Sequence, residues 1–255
     1  MHGNMGLWEV IRRLKFPDRE PDYHSIPPWV ALQRPFVWDE EQIARLFDSI
    51  MRGFPIGTVL IWRTDATVKH QNFVADWSSS IDATGADLPR SSGAKDIVLD
   101  GHQRLQSLLI GLAGSFSGRE LHFDVTSGEA ASPDGTRYRF GFKDVSVSWP
   151  WVRFKPMVGE MSHDQSFPVF QEDPTYPALS GARTEADWNL IVHNVQRAIE
   201  KFALAGDIRF QRLVRDVYER HPGVPDLYTA EEAAEIFRRI NASGSVTDRL
   251  TPAFT

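Results

Sequence analysis

The chain has 255 residues, a formal net charge of −6 and no cysteine. The lack of thiols excludes disulfide scaffolds, thiolate zinc centres and cysteine nucleophiles, and the acidic balance argues against a generic polyanion binder. The N-terminus lacks the apolar core of a signal peptide, and no apolar run reaches the ~18 residues that cross a bilayer, so we expect a cytoplasmic protein that does not contact a membrane.

The first half of the chain predicts one helix, two buried strands and a second helix, in that order. After a charged extension and a proline-rich segment, a helix begins at the cap Asp39 and ends at Gly53 and Pro55. Its apolar face has helical spacing and consists of Ile43, Leu46, Phe47, Ile50 and Phe54. The runs "GTVLIWRT" and "KDIVLDG" predict buried strands on either side of a polar excursion, and "QRLQSLLIGLAGSF" predicts the next helix.

The second half begins with a β-rich section and ends in helices. Clustered and alternating aromatic residues predict strands over 119–170, and Thr184 caps the helix that follows. The run "DIRFQRLVRDVY" fits a strand or a helix equally well. In the last helix Thr229 and Glu232 form a predicted capping box, and the helix ends near Ile240.

These patterns predict an α/β fold, more closely α+β, in which a small mixed sheet forms the core. We divide the chain into an N-terminal extension (1–22), a core (23–118), a β-rich insertion (119–180) and a helical segment (181–255) that completes the same domain.

The stretch "VLDGHQRLQSL", residues 98–108, combines an acid, a glycine, an imidazole, an amide and a guanidinium at the exit of a buried strand. The first turn of the following helix offers free backbone N–H groups and the positive end of the helix dipole. Gly101 allows a tight turn, Arg104 can bind phosphate oxygens in a fork, and Asp100 can hold a metal, orient water or fix Arg104. This predicts an anion-binding corner for a nucleotide; the alternative is that Asp100 caps the helix and Arg104 is solvated.

Two other stretches carry candidate residues. "LQRPFVW" places Gln33 and Arg34 before a proline, and we assign its aromatic residues Phe36 and Trp38 to the core. In "FRRINASGS", Asn241 follows a helix, where an asparagine is usually only a C-cap. The arginines of "DIRFQRLVRDVY" (Arg209, Arg212 and Arg215) lie among acidic residues, so we interpret them as a solvated face rather than a track for DNA.

Taken in order, "IPPWVALQRPFVWDEEQIARLFDSIMRGFPIGTVLIW", "IVLDGHQRLQSLLIGLAG" and "EIFRRINASGS" resemble the N-terminal domain of GmrSD-type restriction endonucleases, which is similar to the ParB/sulfiredoxin superfamily. The resemblance implies a ParB-like core that binds a nucleoside triphosphate with Mg²⁺ and, in relatives, hydrolyses it. It also implies a sensor or regulatory role in bacterial anti-phage defence, in systems that restrict modified DNA.

The resemblance carries over to named residues. The family's Asp-Gly-Gln-Gln-Arg box falls on Asp100, Gly101, His102, Gln103 and Arg104. His102 departs from the family's glutamine, and it could donate to phosphate, act as an acid or base, or be hydrogen-bonded to the backbone. The catalytic candidates are Asp100, His102, Gln103 and Arg104, with Asp100 also the candidate magnesium ligand. The expected nucleotide contacts are Gln33, Arg34, Gly57, Thr58, Gly101 and Asn241.

Many relatives continue into an HNH nuclease domain, and this sequence shows no His-Asn-His arrangement. We therefore expect either a fragment of a longer nuclease or a chain that works with a separate nuclease subunit, with DNA as a further partner. Two alternatives stay open: a sensor of DNA modification that hydrolyses nothing, and an adaptor that recruits a nuclease through its aromatic β-rich section. Which nucleotide is bound, and whether the chain forms a homo-oligomer, also stay open.

Overall fold

A computed structural model describes residues 2–15, 29–32, 35–64, 70–79, 95–144, 146–147, 149–159, 184–204, 207–213 and 228–240. The helices are α1 (Leu7–Lys15), α2 (Glu40–Arg52), α3 (His102–Ala113), α4 (Phe154–Gly159), α5 (Glu185–Ile199) and α6 (Ala230–Ile240), and a π-helical turn (Glu200–Leu204) extends α5. The strands are β1 (His2–Gly6), β2 (Trp29–Leu32), β3 (Val59–Thr64), β4 (His70–Gln71), β5 (Asp76–Trp77), β6 (Lys95–Asp100), β7 (Ser115–Phe116), β8 (Glu120–Asp124), β9 (Phe140–Lys143), β10 (Trp151–Arg153) and β11 (Asp207–Leu213).

Six of these strands form a mixed sheet in the order β1-β11-β3-β6-β2-β4. The two central strands, β3 and β6, are antiparallel, while β11 pairs in parallel with β3 and β2 pairs in parallel with β6. The edge strands β1 and β4 are both antiparallel to their neighbours. The predicted α+β class with a mixed-sheet core is therefore confirmed.

The register of the central pair brings two loops to one end of the sheet. Leu60, near the start of β3, lies opposite Asp100, the last residue of β6. Because the two strands are antiparallel, the turn that leads into β3 and the loop that follows β6 emerge side by side. The sheet thus places residues 56–58 next to residues 100–104.

Helix α3 is the central helix of the fold. Ten of its residues are buried, since α1, α2 and α4 all pack against it. Only Gln103 and Arg104, in its first turn, are partly exposed. A helix enclosed in this way holds its N-terminus in a fixed position relative to the sheet.

Helix α2 begins and ends as the sequence predicts. The Asp39 side chain accepts a hydrogen bond from the Gln42 backbone N–H at 2.8 Å, and the Gln42 side chain accepts one from Asp39 N–H at 3.0 Å. Gly53, in the left-handed conformation, ends the helix. Assigning Phe54 to the apolar face was wrong: it follows the cap, and 49% of its surface is exposed.

The β-rich prediction is confirmed for β8, β9 and β10, which form a second, antiparallel sheet. The run "VSVSWPWVRF" continues into helix α4 rather than further strand. The aromatic side chains of this section pack inward, with Phe123 and Phe140 stacked at 4.8 Å and Phe154 edge-on to Phe140 at 5.1 Å. The part of the predicted section between residues 160 and 170 lies outside the described residues.

Two buried polar side chains tie this second sheet to the helices. Asp48 of α2 accepts hydrogen bonds from the backbone N–H groups of Arg137 and Tyr138, at 3.2 and 2.7 Å. Asn194 of α5 donates to the carbonyl oxygens of Val125 and Ser127, at 2.8 and 2.6 Å. The predicted domain boundaries stay a prediction, and these contacts join residues that the prediction separates.

The N-terminus and the C-terminal half both contribute to the main sheet. Residues 2–15, part of the predicted extension, supply edge strand β1 and helix α1, whose Val10, Ile11 and Leu14 are buried. The ambiguous run after the π-helical turn is a strand, β11, over the residues described. The predicted caps of α5 and α6 are confirmed at Thr184 and Thr229.

Among the described residues, the structure contains no helix that is both long enough and apolar enough to cross a membrane.

Candidate functional site

The candidate site lies at the end of the sheet where β6 runs into α3. Gly101 is the N-cap of α3 and has a left-handed backbone, with φ 93°. The N-cap residue is therefore Gly101, which has no side chain, and Asp100 does not cap the helix as the alternative held. The helix thus begins without a cap from its own N-cap residue.

Arg104 connects the two loops that the sheet brings together. Its guanidinium donates to the carbonyl oxygens of Ile56 at 2.6 Å and Thr58 at 3.2 Å, and to the Asp100 carboxylate at 3.1 Å. The Arg104 side chain is only 20% exposed, whereas that of Asp100 is 51% exposed. Arg104 is thus a fixed cation, and the alternative interpretation, in which Arg104 is solvated, is wrong. Asp100 faces solvent beside it.

Gly57 is the residue that lets Arg104 come so close. Its φ is +84°, and a Cβ placed on it would lie 2.5 Å from the Nη1 atom of Arg104. The left-handed backbone therefore favours glycine, and a Cβ at this position would displace the Arg104 guanidinium. This is the physical reason for a glycine in the sequence "PIGT".

Gln103 holds a third segment against the start of α3. Its side-chain oxygen accepts from Val37 N–H, and its nitrogen donates to the Pro35 carbonyl, both at 3.0 Å. Both ends of the amide are thus engaged by the backbone that directly follows Gln33 and Arg34. The structure gives Gln103 a positioning contact, and its predicted catalytic role stays a prediction.

These groups enclose a cavity of about 210 Å³, lined by Leu99, the residues of the box and Trp38. His102 is buried, and its ring packs against Phe73 with 5.3 Å between centroids. Trp38 was assigned to the core together with Phe36; Phe36 is buried, but Trp38 is half-buried and forms a wall of this cavity. The only sequence signal for Trp38 was its position just after Gln33 and Arg34.

The remaining predicted residues divide into two groups. Gly57 and Thr58 line a separate, larger cleft on the other side of their turn, and only the carbonyl oxygens of this turn reach Arg104. Gln33, Arg34 and Asn241 lie outside the described residues. The structure thus brings 57–58 and 100–104 together, as predicted, but gives them two cavities rather than one.

Among the described residues, no group of three or more acidic or histidine side chains could hold a metal ion. Asp100 is a single, half-exposed carboxylate already paired with Arg104. Magnesium at Asp100 therefore stays a prediction, and it would require further oxygen ligands from outside the protein, because Mg²⁺ demands near-octahedral oxygen coordination.

A comparison with known families identifies one family for this chain. The family model described as "GmrSD restriction endonuclease, N-terminal domain" matches residues 18–251, which includes every candidate site residue. Among proteins of curated function, none matches the chain significantly. The likeness to ParB and sulfiredoxin stays a prediction. The family match gives the chain a role in a DNA restriction system, and since it spans most of the sequence, the chain belongs to the family of GmrSD restriction endonuclease N-terminal domains.

Proposed function

We propose that this domain is a nucleotide-binding regulator of a restriction system, and that the phosphates of a nucleoside triphosphate bind at the N-terminus of α3. The observation that carries this proposal is the start of α3 at Gly101, an N-cap residue without a side chain, which opens onto the cavity beside the fixed guanidinium of Arg104. Backbone N–H groups, a helix dipole and an arginine in one place favour phosphate.

The size of the cavity suggests which parts of the ligand it holds. At about 210 Å³ it is smaller than the ~300–1,000 Å³ that drug-sized ligands occupy. We assign the cavity to the phosphate chain, with the flat ring of the base stacked on the wall that Trp38 provides. Asp100 is the residue that would hold Mg²⁺, directly or through water, and this ion would neutralise phosphate charge.

Binding without hydrolysis is the second candidate function. Both ends of the Gln103 amide are bonded to backbone, and Asp100 is paired with Arg104. Two of the side chains that could orient or deprotonate an attacking water are therefore already engaged. This observation favours a sensor that changes state on binding.

The adaptor alternative finds less support. It requires aromatic side chains of the β-rich section on the surface, but Phe123, Phe140, Phe142 and Phe154 are all buried. Among the described residues of that section, the aromatic side chains serve mainly to build the core.

Thermal unfolding in the presence of Mg²⁺ and ATP, GTP, CTP or UTP tests the proposal. A nucleotide present at about 100 times its Kd should stabilise the protein by roughly 2.7 kcal/mol and raise Tm by several degrees. Arg104→Lys keeps the charge but loses the fork, so it should weaken nucleotide binding about tenfold or more.

Arg197→Lys is the matched control for that experiment. Arg197 also donates to a backbone carbonyl, that of Met51 at 2.6 Å, but it lies on α5 and does not line the cavity. It should keep the full shift. An unchanged Tm of the wild-type protein with every nucleotide, or an equal shift in Arg104→Lys, would overturn the proposal. Release of phosphate from the bound nucleotide separates hydrolysis from binding alone.

DNA and a nuclease domain or subunit are the partners that we propose from the family. The acidic net charge of the chain argues that DNA contacts are local rather than spread over the surface. Binding of DNA with a salt dependence equivalent to only a few phosphate contacts is the expected result.

A further inference from the structure

A second cleft lies on the far side of the 56–58 turn from the box. It has a volume of about 600 Å³, within the range of small-molecule sites, and is built from β1, β11, the loop between α2 and β3, and the π-helical turn. The turn is the shared wall: its residues line this cleft, and its carbonyl oxygens bind Arg104 on the other side. The cleft plays no part in the proposed nucleotide site.

The charged groups that line this cleft are cations. Arg209, on β11, is exposed, and Lys201, in the π-helical turn, is partly exposed. Among the described lining residues there is no carboxylate. Glu200 lies 3.4 Å from the Lys201 ammonium but is 58% exposed, and a solvent-exposed pair of this kind neutralises little of the field. The cleft therefore favours an anion.

The rest of the lining combines apolar and uncharged polar groups. Ile50 and Ile56 provide partly exposed hydrophobic side chains, Leu7 and Ile208 are nearly buried, and Asn4 and Thr58 provide groups that can form hydrogen bonds. A free inorganic anion would leave the hydrophobic surface unused. A ligand that combines an anionic group with an apolar body would use both parts of the lining.

Phe54 adds an aromatic ring to this lining. It is one of two large apolar side chains that are prominently exposed among the described residues, at 49%. The guanidinium of Arg52 stacks on it at 4.2 Å from the ring centroid, and Arg52 is itself held by the Gly135 carbonyl at 3.0 Å. The ring is thus held at the cleft instead of folding into the core, although it stays exposed at an energetic cost.

We propose that this cleft is a second ligand site, which binds a small organic anion with a planar or apolar body and one phosphate, sulfonate or carboxylate group. Arg209 and Lys201 bind the anionic group, while Phe54 and the aliphatic side chains contact the body. The site is separate from the phosphate corner at α3, and the two share the turn that Arg104 holds.

Titration of the full chain with anilinonaphthalene sulfonate, a fluorescent aromatic anion, tests this site. A cooperative thermal transition first checks that the wild-type protein is folded. The folded protein should then give a saturable rise in fluorescence with one probe bound per chain. Arg209→Gln removes an exposed charge from the cleft and should weaken probe binding about tenfold. Arg12→Gln, which removes an equally exposed charge outside the cleft, should leave the Kd unchanged.

Two results would overturn the inference. The first is equal probe affinity in Arg209→Gln and Arg12→Gln. The second is displacement of the probe from the wild-type protein by a nucleoside triphosphate with Mg²⁺, because the cleft would then be the nucleotide site itself. If no nucleotide stabilises the protein but probe binding still depends on Arg209, the proposed function fails and this inference stands.

Discussion

Gly57 and Arg104 show how two single residues couple the loops of the site. The guanidinium takes the space that a side chain at position 57 would occupy, and in return it binds the carbonyl oxygens on either side of the glycine. Arginine donors that are bonded to backbone and partly buried contribute more than exposed ones, because solvent does not replace them. The turn and the first residues of α3 should therefore lose order together.

Gly57→Ala should lower the free energy of unfolding by about 2–3 kcal/mol. Roughly 1 kcal/mol comes from the left-handed backbone and the remainder from displacing Arg104. Gly135→Ala is the matched control, since Gly135 has the same φ of 84° and a Cβ there would meet nothing within 4 Å. Urea denaturation should show the smaller loss for Gly135→Ala, and equal losses would refute the role of the guanidinium.

His122 links stability to pH. Burial lowers the pKa of its imidazole below the ordinary value of 6.5; Arg153 and Lys143 add to this effect, and the Glu120 carbonyl and carboxylate oppose it. The Nδ1 atom lies 2.9 Å from the Glu120 carbonyl oxygen, and among the described residues Nε2 is buried without a hydrogen-bond partner. A second proton would therefore be placed on a buried nitrogen for which the described residues offer no acceptor.

The free energy of unfolding should fall as the pH drops below about 6.5, because the unfolded histidine takes up its proton at a higher pH than the folded one. Above that pH this contribution is fully present. His122→Leu should flatten the dependence between about pH 5 and 7, measured by denaturation in urea. His193→Gln changes an exposed histidine and should keep the slope of the wild-type protein; a slope that survives in His122→Leu would contradict the assignment.

At the scale of elements, one buried carboxylate joins three neighbouring strands. Asp96 of β6 is fully buried and binds Arg63 of β3 through two hydrogen bonds, at 2.8 and 2.9 Å. It also accepts a hydrogen bond from Arg212 of β11 at 3.0 Å. The interpretation of Arg212 as part of a solvated face was thus wrong, because its guanidinium is drawn to this carboxylate.

Asp96→Ala should destabilise the protein by about 3–5 kcal/mol, since it leaves two partly buried guanidinium groups without their shared partner. Glu200→Ala removes the exposed partner of Lys201, a pair at 3.4 Å within the π-helical turn, and should cost less than about 1 kcal/mol. Comparison of the two by chemical denaturation checks whether burial sets the difference. Similar losses would mean that the Asp96 cluster contributes no more than a surface pair.

The elements that sequence predicts well are those whose signals are local. The caps at Asp39, Thr184 and Thr229 act within one turn, so their residue types alone are informative. Strand β1, with the sequence "HGNMG", has no alternation and little β-propensity. It pairs because β11 offers a free edge, which no local window of sequence can reveal.

For the candidate site, too, sequence predicts the local arrangement but not the contacts between distant segments. A strand-to-helix junction places residues 100–104 from their own sequence, but their contact with residues 56–58 depends on the antiparallel register of β3 and β6. Trp38 packs against the core as assigned, but its place in the cavity wall was not predicted, because an aromatic residue in a proline-rich loop is usually only a core residue. The separation into two cavities follows from the side chain of Arg104, and side-chain packing is not visible in a motif.

At the scale of the whole molecule, the first residues of the chain complete the main sheet with strand β1 and pack helix α1 against helix α3. Removal of residues 1–15 would strip away β1 and α1, including the buried Met5, Leu7, Val10, Ile11 and Leu14. Each such side chain contributes about 1.5–3 kcal/mol when buried, and a domain of this size has a net stability of only ~5–15 kcal/mol.

The truncated chain should therefore fail to give a cooperative thermal transition and should be recovered largely in aggregated form. Circular dichroism and size-exclusion chromatography check this. Arg12→Gln, in which the same segment is kept, should behave like the wild-type protein. A truncated chain with the wild-type Tm would show that residues 1–15 are an independent extension after all.

Strand β11 lies between β1 and β3 in the sheet. These two strands are therefore joined by a segment that is synthesised some 200 residues after β1. On the ribosome, the pairs β3–β6 and β6–β2 can form early, while the outer side of β3 has no neighbour until residues 207–213 emerge. During that interval the nascent chain carries an open, hydrophobic strand edge, which is the kind of surface that chaperones protect and that otherwise recruits other chains. The yield of folded protein should consequently depend on the pace of translation of the later half and on chaperone supply more than on the stability of the finished fold.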